Sequence, residues 1–266
     1  RGREDGHPDR GDAKGHAMTV DWANLDAELA IWRTEGLHLP IWWRDDDAIA
    51  PTPALDRLAA LAEDLSLPVH IAVIPKHAEP ALAAYSKDRP LIRPLVHGWQ
   101  HISHAPDGAK KAEFGHPRPD AAHELAQALN RMQQLFGDDL LPIFVPPWNR
   151  LDDGLLPVLA DAGYVGVSTY LPRDNRIAAP GLVQINTHID PIFWRGTRSL
   201  VPPDTLIADI TKQLQDRRKG LTDPQEPLGF LTHHLVHDED FWGFTHACLA
   251  RLLDGGAVPA QMTELP

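Results

Sequence analysis

Two histidines and a run of three aspartates have the residue types and spacing that metal chemistry needs. His97 and His101 are four residues apart, so on one helical turn both imidazoles would share a face and bind one cation. Asp45, Asp46 and Asp47 directly follow an apolar run, and adjacent side chains in an extended segment point to opposite sides. One aspartate can therefore bind a metal while its neighbour acts as a base. Two histidines and one carboxylate leave open coordination positions, which is typical of a catalytic divalent metal.

Two further segments have groups that could act beside such a metal. Pro146 and Pro147 make the chain rigid just before Trp148, whose backbone N–H could face a developing oxyanion. His233 and His234 follow a short apolar run, and a histidine there could protonate a leaving amine. The alternative for each segment is purely structural: a proline-rich loop, or a histidine bonded to the backbone.

These residues need elements that bring them together, and the apolar pattern predicts regular alternation of strands and helices. The predicted helices cover 22–35, 53–65, 79–85, 120–136, 152–162, 203–217 and 238–253. The predicted strands cover 39–44, 68–74, 91–96, 141–145, 165–168, 182–185 and 228–231. Such alternation indicates a mainly parallel sheet, either a barrel or a doubly wound sheet, with its active site at the carboxyl ends of the strands. The candidate residues all follow predicted strands, which supports a single site.

Composition limits the partners and the compartment. The net charge of -12 argues against nucleic-acid binding, and the single cysteine excludes an intramolecular disulfide. No apolar run is long enough to span a membrane, and residues 1–17 lack the apolar core of a signal peptide. We therefore expect a cytoplasmic protein without a membrane partner. Residues 1–20 are predicted to be a disordered tail or an added remnant, and residues 21–266 a single domain.

Four of these segments, in this order, resemble motifs of the polysaccharide deacetylases of the NodB-homology type, carbohydrate esterase family 4. The family's T-F-D-D-G is similar to residues 44–48 (RDDDA), and its H-[ST]-x-x-H is similar to residues 97–101 (HGWQH). F-R-P-P-Y is similar to residues 144–148 (FVPPW), and L-x-H matches residues 231–233 (LTH). The resemblance implies a distorted (β/α) barrel of about seven strands.

The resemblance also implies roles for individual residues. It gives one divalent metal, with Zn²⁺ first and Co²⁺, Ni²⁺ or Mn²⁺ as alternatives, held by Asp47, His97 and His101. The implied catalytic groups are the base Asp46, the oxyanion donor Trp148 and the general acid His233. The polar loop 101–119 is interpreted as a substrate lid, since so long a connection is rarely idle. The candidate substrate-binding residues are His104, Lys110, Glu113, Arg118, Asn149 and His234.

Four positions depart from the family pattern: Asp45 replaces Phe, Ala48 replaces Gly, Gly98 replaces Ser or Thr, and Val145 replaces Arg. In typical members that arginine pairs with the base, and here Arg44, Arg150 and Lys110 are the candidates to take its place. The family's fourth motif is only suggested by residues 190–194 (DPIFW).

The function that this pattern predicts is hydrolysis, with metal-activated water removing acetyl groups from N-acetylated sugars or polysaccharide. One alternative is a carbohydrate-binding or regulatory protein that keeps the metal but does not hydrolyse. Another is an amidohydrolase that acts on a small non-sugar amide.

Overall fold

The computed structural model describes residues 20–262, which form seven helices and nine strands. The predicted tail lies outside the described residues except for Val20, and the predicted single domain stays a prediction. The helices are α1 (Ala23–Thr34), α2 (Pro53–Leu65), α3 (Pro80–Lys87), α4 (Ala121–Phe136), α5 (Leu156–Ala162), α6 (Pro203–Arg218) and α7 (Glu239–Asp254). The strands are β1 (Leu39–Ala48), β2 (Val69–Val73), β3 (Ile92–His97), β4 (Ile143–Val145), β5 (Gly166–Val167), β6 (Ile177–Ala179), β7 (Leu182–Gln184), β8 (Leu228–Thr232) and β9 (Ala257–Pro259).

Seven parallel strands close into a distorted barrel. The hydrogen-bonded order runs β7-β5-β4-β3-β2-β1-β8. The chain after β7 then runs beside β8 and closes the ring, because the His188 N–H donates to the Gly229 carbonyl (2.8 Å) and the Leu231 N–H to the Ile189 carbonyl (2.8 Å). The barrel fold class predicted from the sequence is confirmed. Strands β6 and β9 were not predicted; each has three residues and lies outside the ring, β6 antiparallel to β7 and β9 parallel to β1.

Six of the seven helices begin within one residue of the predicted start, whereas α5 begins at Leu156, after a short 3-10 turn at Asp153–Leu155, and not at residue 152. Thr52 caps α2 by accepting a hydrogen bond from the Leu55 N–H (3.1 Å), with Pro53 in the first turn. Asp238 caps α7 in the same way through the Phe241 N–H (2.9 Å). Within residues 20–262, none of the helices is both long and apolar enough to cross a bilayer.

Alternation along β1 separates two sets of side chains. Trp42 packs in the cluster inside the barrel, and Trp43 packs in the cluster between strands and helices. The same alternation turns Arg44 and Asp46 into the barrel and Asp45 outward. The predicted strand ended before the aspartates, whereas β1 continues through all of them, because buried partners on both sides hold their side chains.

Candidate metal centre

Three side chains at the carboxyl ends of β1 and β3 converge on one point. Asp47 Oδ1 lies 3.1 Å from His97 Nε2 and 3.3 Å from His101 Nε2. The ligand atoms all lie within 4.8 Å of one another. His97 is buried, whereas Asp47 and His101 are partly exposed. The structure therefore brings together the three residues predicted as metal ligands and leaves one side of the group open to solvent.

The donor types and their spacing fit a divalent metal. Zn²⁺ binds imidazole nitrogen and carboxylate oxygen at about 2.0–2.2 Å, so two corners of its tetrahedron are about 3.3 Å apart. That separation matches the two distances from Asp47. His97 Nδ1 lies 3.0 Å from the Val145 carbonyl oxygen, so its N–H can donate there and leave Nε2 free as a ligand.

The pKa shifts at this site agree with a place for a cation. Burial raises the pKa of the Asp47 carboxyl, but the hydrogen bond of His97 and the charges of His97, His233 and His101 together outweigh burial and hold the pKa well below its usual range. Burial lowers the pKa of His97, but Asp47 and Asp46 outweigh burial and raise it. Burial, followed by the neighbouring charge of His97, lowers the pKa of His101. A metal would take the place of the proton that His97 and Asp47 otherwise share.

The chain between the two histidines is a tight turn, and the helical turn predicted from their spacing is wrong. Gly98 has a φ of +57° and His101 a φ of +59°, left-handed values that a right-handed helix does not contain. The buried Glu113 carboxylate accepts hydrogen bonds from the N–H groups of Trp99 (3.2 Å), Gln100 (2.8 Å) and His101 (3.2 Å). The turn curls around this carboxylate because its amides point inward to a single acceptor.

Asp46, the predicted base, is held by an arginine from its own strand. Arg44 Nη2 donates to Asp46 Oδ2 (3.0 Å), and Arg44 Nε lies 2.9 Å from Asp46 Oδ1. The same guanidinium donates to Asn149 Oδ1 (2.7 Å) and to Ser168 Oγ (2.7 Å). Arg44 is fully buried and reaches from β1 to the residue after β5. Of the three candidates to replace the arginine missing at Val145, Arg44 is the one that contacts the base.

Asp45 faces away from the metal and pairs with His234. Its Oδ1 lies 2.5 Å from His234 Nδ1, and its Oδ2 accepts from Thr232 Oγ1 (2.6 Å) and the His234 N–H (3.0 Å). Burial opposes ionisation of both groups, but their attraction lowers the pKa of Asp45 and raises that of His234. The geometry does not support the predicted substrate contact of His234, because its buried ring is turned toward Asp45. It anchors the segment that begins with His233.

His233, the predicted general acid, lies close to Asp46, the predicted base. Its Nε2 is 4.0 Å from Asp46 Oδ2. The ring packs edge-on against Trp194, with centroids 4.8 Å apart, and Trp194 Nε1 donates to Asp190 Oδ2 (2.7 Å). The His233 N–H donates to His237 Nε2 (3.2 Å). The segment that suggested the fourth motif therefore lies beside the predicted general acid.

Trp148 and Asn149 follow β4 and form another side of the site. Both have left-handed backbone, with φ values of +57° and +55°. The Trp148 ring lies 4.4 Å from the His101 ring between centroids. Asn149 is engaged with Arg44 through its side-chain oxygen. Trp148 thus lies beside His101 and Asn149 beside Arg44. The contact of the Trp148 N–H with an oxyanion and the contact of Asn149 with substrate stay predictions.

The long polar loop is braced against the protein, which corrects part of the lid prediction. Arg118 donates to the Glu113 carbonyl and pairs with a glutamate of α4. Glu113 is buried against the turn, so its predicted substrate contact is not supported. His104 and Lys110 are exposed and remain candidates for substrate contact. The other candidate arginine, Arg150, donates to a backbone carbonyl of this loop.

Sequence reasoning missed two residues that hold the site. Ser168 binds Arg44, but a lone serine after a two-residue strand has no pattern that identifies it. Asp45 was read only as part of an acidic run. Its outward alternation on β1 was the available signal for a separate partner.

Comparisons with known proteins identify the fold. No family model matches the sequence, and no curated protein matches it. A T48 deacetylase with substrate is similar over 93% of this chain and 94% of its own, at a TM-score of 0.51 and 14% identity. The polysaccharide deacetylase from Bacillus cereus is similar over 86% of this chain and 96% of its own, at a TM-score of 0.50 and 13% identity. A CE4 family pseudoenzyme from Bacillus anthracis is similar over 86% of this chain and 65% of its own, at a TM-score of 0.54 and 12% identity.

These similar structures show that the chain belongs to the class of distorted (β/α) barrels. Within that class, the chain has the fold of the CE4 polysaccharide deacetylases, and the resemblance predicted from four short motifs is confirmed at the level of the fold. A mutant of the pseudoenzyme is described as having restored enzymatic activity (TM-score 0.54, 13% identity). The same fold therefore includes both active and inactive proteins, and activity must be argued from the residues of each site.

Proposed function

We propose that this protein is a metal-dependent deacetylase that removes acetyl groups from N-acetylated sugars or polysaccharide. The observation that carries the proposal is the grouping of a three-ligand centre (Asp47, His97 and His101) with Asp46 and His233 on the same rim of the barrel. The substrate class is supported by the fold, since similar structures are named polysaccharide deacetylases and one is described with substrate.

A divalent metal held by the three ligands would supply Lewis-acid chemistry, polarising the acyl carbonyl and acidifying the attacking water. The donor set suits Zn²⁺ and also accepts Co²⁺, Ni²⁺ or Mn²⁺. The chain's own contribution is to fix the donors. The Val145 carbonyl orients His97, and the Trp148 ring packs against His101.

Asp46 accepts the proton of the attacking water. Arg44 contacts both of its oxygens, which fixes the plane of the carboxylate and balances its charge in a buried place. Arg44 is itself fully buried, so it acts on the reaction through Asp46 rather than by touching substrate. The base is thus oriented before substrate binds, as efficient proton transfer requires.

His233 donates a proton from Nε2 to the leaving nitrogen. The 4.0 Å between His233 Nε2 and Asp46 Oδ2 supports these roles, because acid and base would then border the same space, in which a scissile amide would lie. Packing against Trp194 restricts the imidazole plane. Trp148 forms a neighbouring wall, and its backbone N–H is assigned to the developing oxyanion.

The test is acetate release from N-acetylated oligosaccharides by the Zn²⁺-loaded protein. Asp46→Asn keeps the shape of the side chain but cannot accept the proton, so turnover should fall by about 10²–10⁴. Asp138→Asn, at an exposed carboxylate remote from the rim, is the matched control and should keep full turnover. Equal turnover by Asp46→Asn and the wild type would contradict the assignment.

A second candidate is a carbohydrate-binding protein that no longer hydrolyses. It is favoured by one observation: the motif-three arginine is absent at Val145 in a fold that includes a pseudoenzyme. Binding of acetylated oligosaccharide with no acetate released, in protein shown to contain metal, would establish this second function. The contact between Arg44 and Asp46 argues for the hydrolase, because the base keeps a guanidinium partner.

A further inference from the structure

Glu113 is a buried carboxylate for which the reaction has no use. It is 1% exposed and lies on the long polar loop, twelve residues beyond His101 in the chain. Its Oε1 accepts from the Gln100 N–H, and its Oε2 from the N–H groups of Trp99 and His101. A charged group that is buried and bonded only to neighbouring backbone amides fixes the path of that backbone.

We propose that Glu113 is a positioning residue for the metal, holding the turn from which His101 reaches the centre. This inference rests on the proposed metal-dependent function. His101 has a left-handed backbone, which is strained for a residue with a side chain, so the turn needs contacts that hold it. Glu113 bonds the His101 N–H itself, so its loss would let the imidazole move away from Asp47.

The space around Gly98 supports this role. A Cβ at Gly98 would lie 2.2 Å from Glu113 Oε2 and 2.6 Å from the Pro147 ring. The related motif has Ser or Thr at this position, and here the carboxylate occupies the place of that side chain. The departure at Gly98 and the buried Glu113 are therefore two parts of one arrangement.

Hydrogen bonds within the loop 101–119 fix the backbone that carries the Glu113 carboxylate. The His104 N–H donates to the Ala112 carbonyl (2.8 Å), and the Ala112 N–H donates to Ser103 Oγ (3.2 Å). Arg118 donates to the Glu113 carbonyl (3.3 Å). Contacts on both sides of Glu113 thus hold this part of the loop in place, as a positioning role requires.

A second group of donors includes the same carboxylate, but it does not form a comparable centre. His104, Glu113 and Glu124 have ligand atoms within 4.8 Å of one another. Glu124, however, pairs with Arg118, and both oxygens of Glu113 face backbone N–H groups. These carboxylates are already neutralised or bonded, whereas Asp47 faces two imidazoles.

The test measures Zn²⁺ binding by calorimetry and the visible spectrum of the Co²⁺-loaded full chain. Glu113→Ala removes all three acceptor contacts, and Glu113→Gln keeps the volume but replaces one acceptor oxygen by a donor. We expect the Kd for Zn²⁺ to rise about 10- to 100-fold, as for other groups that orient ligands. The Co²⁺ bands should also weaken or shift, because His101 no longer holds its position.

Two control variants give the expected limits for the Zn²⁺ Kd and the Co²⁺ spectrum. Asp107→Asn changes an exposed carboxylate on the same loop and should leave Kd and spectrum unchanged. His97→Ala removes a ligand and should abolish binding. A purely structural Glu113 would lower the melting temperature of both variants but leave Kd and the Co²⁺ spectrum as in the wild type.

Three results would overturn the proposal. A Kd within twofold of the wild type in both folded Glu113 variants would do so. A raised KM with unchanged metal affinity would also do so, and would return Glu113 to substrate binding. Failure of the wild type to bind any divalent metal would remove the proposed function as well, whereas tight binding by the wild type and both variants removes this inference alone.

Discussion

The candidate site has a metal half, formed by Asp47, His97 and His101, and a proton-transfer half, formed by Asp46 and His233. Different parts of the molecule hold these two halves. The metal half depends on a surface loop, because Glu113 bonds the turn that carries His101. The proton-transfer half depends on the barrel interior, because Arg44 joins Asp46 to the far side of the ring at Ser168. Substitution of Glu113 should therefore change metal affinity, and substitution of Arg44 should change turnover.

The comparison also shows how departures from a motif can be compensated. Gly98 and Val145 both lack the side chain of the related motifs, and in each half a charged group from elsewhere supplies a contact. Glu113 fills the space beside Gly98, and Arg44 contacts Asp46, the proposed base, in place of the arginine that is absent at Val145. A motif mismatch therefore does not by itself indicate an inactive site.

Arg44→Met is expected to give the largest effect of any variant that changes only one half of the site, a loss of kcat through the proton-transfer half. Without the guanidinium, Asp46 is a buried carboxylate with no fixed orientation, so kcat should fall by about 10²–10³. Zn²⁺ affinity should stay within a few fold, since Arg44 contacts no ligand. Steady-state kinetics and calorimetry on the same preparation measure both quantities.

Two further variants test whether Arg44 acts through Asp46. Asp46→Asn combined with Arg44→Met should be no slower than the slower single variant, because residues that act as a unit are not additive. Arg217→Met removes an equally buried arginine on α6, which contacts Gln213, and should lower stability without changing kcat. Losses that multiply in the double variant would show that Arg44 and Asp46 act separately.

The fold could be predicted because its signals are local and repeated. Each barrel strand is a short apolar run, and helices such as α2 carry a cap and a proline at the predicted start. β6 and β9 were missed because three residues, IAA and AVP, are too short a run to show the period of a strand. The end of β1 was misplaced because its three aspartates are paired inside the fold, which their polarity conceals.

The site could be predicted only in its chemistry. Residue type and place after strands predicted that Asp47, His97 and His101 would meet. The separate roles of Asp46 as base and Asp47 as ligand came from the family resemblance and stay predictions. The sequence left Arg44 as one of three candidate partners of Asp46 and assigned Glu113 to substrate, because both contact groups whose proximity only the folded chain creates. The same limit explains why His234, adjacent in sequence to His233, was assigned to substrate although its ring faces Asp45.

Gly98→Ala tests the metal half with a smaller change. The new methyl group would meet the Glu113 carboxylate and the Pro147 ring, at a φ of +57° that favours glycine. The turn must shift to make room, so we expect the Kd for Zn²⁺ to rise about tenfold, equivalent to about 1.4 kcal/mol. Calorimetry is the measurement, with kcat at saturating metal as the second readout.

If Gly98→Ala lowered kcat and left Zn²⁺ affinity unchanged, as expected for Arg44→Met, the distinction between the two halves would be weakened. Gly243→Ala is the matched control, because Gly243 lies within α7 and has no atom within 4 Å of its added methyl group. It should leave metal binding unchanged. A normal Kd combined with a low kcat in Gly98→Ala would show that the turn serves proton transfer as well as metal binding.

The last expected effect is a pH dependence of stability, rather than of metal binding or turnover, beside the proton-transfer half. Burial lowers the pKa of His237 to about 3, although the charge of Asp45 acts in the opposite direction. The unfolded chain takes up this proton near pH 6.5, whereas the folded chain keeps the ring neutral, so the contribution to stability is complete above pH 6.5 and declines as the pH falls toward 3. Between about pH 7 and pH 4.5 the decline should be at most about 2 to 3 kcal/mol.

Denaturant unfolding at the two pH values should therefore show a smaller loss for His237→Gln than for the wild type, while His246→Gln, at a solvent-facing histidine, should behave as the wild type. An equal loss in all three proteins would mean that His237, whose Nε2 accepts the backbone N–H of His233, contributes no pH-dependent stability.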